Sequence, residues 1–502
     1  MGQGHGDSLA PGDAAFLTME TATLPMHGGG LFVFDASRVG AVGFPRFLAL
    51  VRSRLDRIPR YRQRLAFTPF GLSPPVWVDD PQFDIAYHVR HAALPRPGTS
   101  AQLMEYCARI LSRPLDRDRP LWELYVIEGL EDDRVALLAK SHHALIDGVS
   151  GLDIVSVMLD DAPDASSSIP PADPWEPEPT PSDYELVFSA AAELLTSPAA
   201  AVASVRRVAA APGNAARRAL QVGRGVAAVA RANVMRPAPQ SPLNVSPGPH
   251  RRFAIQRLPL VDVKRVKNAF DTTVNDVVLT LAGDATGRYL RSRGARTDGL
   301  WLRALVPLSV HGEDGDEGPV GSRLTSVFVN LPVFEMDPVE RLRTVADEMA
   351  GAARSSRAVG ADFLVGLGSF APPTIHATAA RLAARTRLYN FVVTNVPGPQ
   401  EPIYCLGARL LGAFPFTPLS ANQAYAVGVT SIDGWLNVGV TADYDALPDV
   451  ERVTDELIGA LADLSASAEA VATRHELASK AHRSAKETAD AARAQAQRRH
   501  DH

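Results

Sequence analysis

The stretch "SHHALIDGVSG", Ser141 to Gly151, sets two adjacent histidines ahead of an aspartate, Asp147, and a glycine, Gly148. Before it, "RVALLAKS" (134–141) is apolar and follows "LWELYVIE" (121–128) across the polar "GLEDD" (129–133), the pattern of a β-hairpin. After it, "GVSGLDIVSVML" (148–159) repeats apolar residues at Val149, Leu152, Val155 and Leu159, a helical spacing. The histidines are therefore expected in a strand-to-helix turn of a mixed α/β (α+β) chain, a place where functional side chains are often presented.

Two chemical readings of this turn stay open on the residues alone. An imidazole of near-neutral pKa can take a proton from an attacking hydroxyl, typically worth 10²–10⁴-fold in rate. His143 would be that base, Asp147 would hold the turn, and Gly148 would leave room for substrate. Alternatively, the pair is simply the satisfied end of a strand. Metal binding fits poorly, because successive strand residues such as His142 and His143 point to opposite faces. No G-x-S-x-G elbow occurs, and neither Cys107 nor Cys405 is near a histidine in sequence, so direct transfer is favoured over a covalent acyl-enzyme. The acidic "GEDGDEG" (312–318) lacks the spacing and terminal glutamate of a calcium loop.

The chain has 502 residues, 46% hydrophobic and 21% charged, the profile of a globular protein long enough for two domains. A net charge of −5 argues against nucleic acid as the main partner. Two cysteines fit a reducing cytoplasm better than a disulfide scaffold. The opening residues lack a basic n-region and an apolar h-region, so no signal peptide is expected, and no apolar run approaches the ~18 residues of a membrane span.

Composition divides the chain into four parts. Residues 1–160 hold the histidine motif. Residues 161–250 begin as a linker; the stretch from Asp160 to Asp183 carries seven prolines. An Ala-rich crossover follows (184–236), and no acid occurs between Glu193 and Asp262 while ten arginines do. Such a segment is either a solvated helical crossover or a basic face that lies on anionic lipid. Residues 251–469 form a second domain, with a helix capped at Thr272 or Thr273, strands in "LWLRALVPLSV", "TSVFVNLPVF" and "YNFVVTNVPGP", and a tight hairpin at Asp433-Gly434. Residues 470–502 are a charged helical or disordered tail.

Several ordered pieces resemble the bacterial wax ester synthase/diacylglycerol acyltransferase family: "LAPGDAAFLTMETATLPMHGGGLFVFD", "RIPRYRQRL", "RPLWELYVIEGL", "SHHALIDGVSG", "TVNDVVLTLAGDATGRYL", "TNVPGP" and "GVTSIDGWLNVGVTADYDALPD". The resemblance covers nearly the whole chain. It implies two chloramphenicol-acetyltransferase-like sandwich domains, a fold shared with peptide-synthetase condensation domains, with a tunnel between them. It also implies transfer of a long-chain acyl group from acyl-CoA to diacylglycerol or a fatty alcohol, with acyl-CoA as co-substrate and no metal or organic cofactor. By the same resemblance His143 is the base, and Asp147 is structural and pairs with an arginine, Arg62 first and Arg64 second. Asn275 and Asp276 match the activity-linked "ND" pair, although a helix start would also suit them. Pro120, Leu121 and Trp122 match "PLW" as a packed strand, and Asn395 to Pro399 match a turn lining the domain interface, from which Asn395 could reach substrate. Gly321-Ser322-Arg323 departs from the family's Gly-Asn-Arg, and the linker is long. The rivals are a condensation-type acyltransferase with another acceptor and a non-catalytic lipid-binding relative.

Overall fold

A computed structural model describes residues 7–9, 11–37, 43–69, 74–145, 154–166, 169–170, 174–182, 184–186, 188, 237–310, 323–359 and 387–500. The first half carries α1 (Pro11–Met19), β1 (His27–Asp35), α2 (Phe44–Arg54), β2 (Gln63–Ala66), β3 (Val76–Asp79), α3 (Ile85–His88), β4 (Val89–Ala93), α4 (Ser100–Leu111), β5 (Trp122–Glu128) and β6 (Arg134–His142). The second carries β7 (Arg251–Pro259), α5 (Leu260–Ala269), α6 (Val274–Ser292), β8 (Trp301–Val310), β9 (Arg323–Pro332), α7 (Pro338–Val359) and β10 (Phe391–Pro397). It continues with β11 (Tyr404–Cys405), β12 (Ala408–Phe416), β13 (Tyr425–Ile432), β14 (Trp435–Asp443) and α8 (Glu451–His500).

Twelve strands build two six-stranded sheets, ordered β11-β12-β1-β6-β5-β4 and β7-β14-β13-β10-β8-β9, and β2 and β3 pair as a separate two-stranded ribbon. The β5–β6 hairpin pairs antiparallel, and its turn sets Asp132 and Asp133 at positive φ. Asp433 (φ 48°) and Gly434 (φ 76°) close the β13–β14 hairpin, the conformation a two-residue turn requires. Helix α6 opens on a capping box in which Thr273 and Asp276 each bond the other's backbone N–H. The cap is thus Thr273, not Asn275. Along α8, Val453, Leu457, Ala460, Leu461, Leu464 and Ala468 bury a helical stripe against the second core, and the helix runs on to His500.

One strand crosses between the halves. β12 comes from the second half yet pairs antiparallel with β1 in the first sheet. Its outer neighbour β11 covers only Arg409 and Ala408, so most of β12 is an edge, which explains why Pro415 is tolerated there. Pro415 in turn lies against the second sheet, where a Cβ on Gly439 would fall 2.0 Å from its carbonyl oxygen. Gly428 stands opposite Gly439 on the neighbouring strand, and a Cβ there would meet Pro415 at 2.8 Å. A side chain at either position would push the sheets apart. A third apolar cluster, including Leu31, Leu103, Cys107, Phe253 and Phe414, fills the space between α4, the first sheet and β7.

Both cysteines are buried thiols. The helical pattern expected over 149–159 appears among the described residues only as a single 3₁₀ turn, Ser156–Met158. Residues 146–153 lie outside the described residues, as do the acidic loop 312–318, Ser322 and nearly all of the Arg-rich crossover.

Candidate active site

β6 ends at His142, and the chain turns at His143, whose N–H donates to the Met26 carbonyl (2.9 Å). Leu145 N–H closes the turn on His142 O (2.9 Å). The two rings have different surroundings. His142 is fully buried, and its Nδ1 accepts from Ala144 N–H (3.0 Å), which leaves the proton on Nε2. That nitrogen faces Glu20 Oε2 at 3.6 Å, an electrostatic contact longer than a hydrogen bond.

His143 keeps a partly accessible surface and stacks on Phe16 of α1, with ring centroids 4.8 Å apart. Its Nε2 lies over Gly28 of β1, where a Cβ would come within 3.2 Å. The surrounding protein desolvates the imidazole, and together with the neighbouring His142 this pushes its pKa down to about 4. A ring so placed is neutral near pH 7 and can accept a proton.

Glu20 organises both histidines. Its carboxylate accepts from Arg117 Nε (2.8 Å) and from Met26 N–H (3.2 Å), and Met26 then holds His143. Burial raises the Glu20 pKa, but His142 and Arg117 outweigh it and the net shift is downward, so the group stays ionised. Glu20→Gln keeps the shape but removes the charge facing Arg117 and His142. We expect kcat to fall about ten- to a hundredfold through misplacement of His143, with KM little changed. Unaltered kcat in steady-state kinetics would refute this.

The residues expected from the sequence separate into two groups. Pro120 and Trp122 sit under the motif strand: His142 N–H donates to Leu121 O (2.9 Å), and Trp122 N–H to Pro120 O (2.8 Å). Trp122 is fully buried, donates Nε1–H to Tyr61 O (2.7 Å) and stacks on His88 at 4.6 Å. Tyr61 Oη accepts from Ile154 N–H (3.2 Å), anchoring the chain where it re-emerges beyond the motif. Asn275 and Asn395 meet on the second sheet side, Asn395 Nδ2 donating to Asn275 Oδ1 (3.4 Å). Asn275 Nδ2 is buried with no hydrogen-bond partner. Asp276 is committed to the helix cap.

Asp147 and Gly148 lie outside the described residues. The pairing expected between Asp147 and Arg62 therefore falls outside what the structure describes; Arg62 Nη1 contacts Asp56 Oδ1 at 2.5 Å, and its guanidinium stacks over Trp175 at 5.1 Å. Arg64 sits in β2, opposite Val78. Phe16, Glu20 and Gly28 fall within "LAPGDAAFLTMETATLPMHGGGLFVFD", but their contact with the histidines is tertiary. Only the "HGGG" run before an apolar strand hinted at a close approach. Among the described residues no group of three or more His, Cys, Asp or Glu side chains could hold a metal ion.

Comparison with known proteins agrees along most of the chain. The wax ester synthase/diacylglycerol acyltransferase catalytic-domain family matches residues 9–278, and the C-terminal domain of the same family matches 320–465. A Mycobacterium tuberculosis protein assigned by name as a diacylglycerol O-acyltransferase is 35% identical over 480 residues, covering 92% of this chain and 93% of its own. The same organism's "Probable diacyglycerol O-acyltransferase tgs2" is 34% identical, covering 91% and 98%. The solved wax ester synthase/diacylglycerol acyltransferase of Marinobacter aquaeolei superposes with a TM-score of 0.66 at 28% identity, over 92% of this chain and 99% of that one. The first condensation domain of the calcium-dependent antibiotic synthetase shares the fold alone, with a TM-score of 0.54 at 16% identity over 93% and 97% of the two chains. The two-domain acyltransferase architecture, the histidine turn and these likenesses converge, and the chain belongs to the wax ester synthase/diacylglycerol acyltransferase family.

Proposed function

We propose that the protein transfers a long-chain acyl group from acyl-CoA to the free hydroxyl of diacylglycerol, forming triacylglycerol, with fatty alcohols as second acceptors that would give wax esters. The observation that carries this reading is the neutral His143 Nε2 standing over the space Gly28 leaves. An acceptor hydroxyl in that space gives its proton to Nε2 as its oxygen attacks the thioester carbonyl. The tetrahedral intermediate collapses, the C–S bond breaks, and the imidazolium returns its proton to the CoA thiolate. No cofactor is needed in this scheme, because the thioester already carries the activation. Acyl-CoA and acceptor enter a tunnel between the halves from opposite mouths. Asp147 and Gly148 would shape the motif turn, and Asn275 and Asn395 would line the acceptor side.

The test supplies labelled palmitoyl-CoA with dioleoylglycerol and with hexadecanol separately and identifies the product chromatographically. Triacylglycerol should dominate. Product only with carrier-protein thioesters would favour a condensation-type enzyme, and acyl-CoA binding without turnover a non-catalytic relative.

No helix among the described residues is long and apolar enough to cross a membrane. We therefore propose peripheral attachment through the Arg-rich crossover, each arginine near an anionic surface contributing ~1 kcal/mol. Binding to vesicles of anionic phospholipid should weaken as salt rises from 0.05 to about 0.5 M. Sedimentation that ignores salt would count against it.

A further inference from the structure

A cavity of about 260 Å³ opens at the end of the first sheet remote from the histidines. Arg134, which starts β6, lines it, whereas His142 ends that strand, roughly 27 Å away at about 3.4 Å per residue. Val33, Ile255, Leu411 and Phe414 give it an apolar wall, and Arg257 stands beside them.

Phe253 and Ile255 of β7 pack into the third cluster, and strand alternation puts Arg257 on the same face. The Arg257 guanidinium lies over the Trp435 ring at 4.3 Å, and its Nε is buried without a hydrogen-bond partner. Neighbouring arginines are already paired, Arg134 with Asp132 and Arg409 with Asp433, whereas no ion pair among the described residues takes Arg257. Directly across the ladder from Arg257 stands Asn437, 0% exposed, with both side-chain polar atoms unpartnered. Its Oδ1 is 2.9 Å from where a Cβ on Gly412 would be, and Gly412 lines the cavity. Asn437 lies beneath the lining and not in it; buried polar groups are almost always paired, and the orphan Nε of the arginine that does line the cavity points to a missing partner. Glu131, the one carboxylate of the lining, is exposed at the rim.

We propose that this cavity binds the head of a single-chain anionic amphiphile, an oxyanion on a short alkyl stem. Arg257 supplies the charge, and the apolar wall receives the stem. At ~30 Å³ per carbon- or oxygen-sized group the volume holds about eight or nine such groups, so hexanoate fills it and longer chains project through the opening. A carboxylate and a phosphate monoester share this chemistry.

The test titrates hexanoate, hexyl phosphate and inorganic phosphate into the full-length protein by calorimetry. At least one of the two amphiphiles should bind saturably, and the tighter names the head group. Arg257→Gln should weaken that binding at least tenfold at unchanged Tm. If that variant does not fold, Leu130→Trp, which fills the cavity from its lining, should do the same. His143→Ala should retain full affinity, so failure of the acyl-transfer reading and failure of this one are told apart. Absence of saturable binding, affinity unchanged in a folded cavity variant, inorganic phosphate binding as tightly as hexyl phosphate, or displacement by free CoA would each overturn the proposal.

Discussion

Replacing His143 with alanine is expected to lower turnover by 10²–10⁴-fold, the usual worth of a positioned general base, while leaving the fold in place. In the proposed mechanism the ring acts through one nitrogen, and it contributes little to structure. The turn itself is held by backbone bonds, from His143 N–H to Met26 O and from Leu145 N–H to His142 O, and both survive the substitution. The lost stacking on Phe16 is partly exposed, so Tm should move by only a few degrees. His142→Ala should behave differently. It removes a fully buried ring that takes the Ala144 N–H and faces Glu20, so the turn loosens and stability falls with activity. Rates measured beside melting curves for the two variants separate the base from its support. Equal activity of His143→Ala and wild type would make His143 a structural residue.

Gly28→Val should cost about 10²-fold or more in turnover with the protein still folded. Gly28 has no positive φ, so the backbone accepts a side chain; only the space above it does not. A Cβ alone would stand 3.2 Å from His143 Nε2, and the two methyl groups beyond it would occupy the position from which an acceptor hydroxyl gives up its proton. Overpacking of this kind costs about 1–3 kcal/mol, which a β-branched residue in a strand partly offsets. The signature is a collapse in kcat with acyl-CoA still bound. Full activity of Gly28→Val would mean that substrate approaches His143 from another side.

Local features of the chain were legible in its sequence. The β5–β6 hairpin, the Asp433-Gly434 turn, the capped helix α6 and the turn that presents His143 all follow from patterns a few residues long. The features that make the site work are tertiary. Glu20, Phe16 and Gly28 lie more than a hundred residues before the histidines and reach them only because β1 pairs with β6, His27 opposite His142. The crossing of β12 into the first sheet was hidden by Pro415, which reads as a strand breaker until the edge position and the glycines facing it are seen. Arg62 makes an ion pair with Asp56, six residues earlier in the chain, a local contact that the motif match did not suggest.

The pH dependence of kcat/KM tests most directly the claim that His143 is a base tuned by burial. This quantity reports the pKa of the free enzyme's essential base. A depressed pKa leaves the ring competent above its own value and silences it below, so activity should be flat from about pH 5.5 to 8 and fall on the acid side near pH 4. Circular dichroism over the same range separates this limb from acid unfolding, since Glu20 also loses its charge at low pH. A limb near 4 in a folded enzyme is the predicted result. An acid limb at the ordinary histidine value of about 6.5, or no acid limb at all while the protein stays folded, would contradict the account.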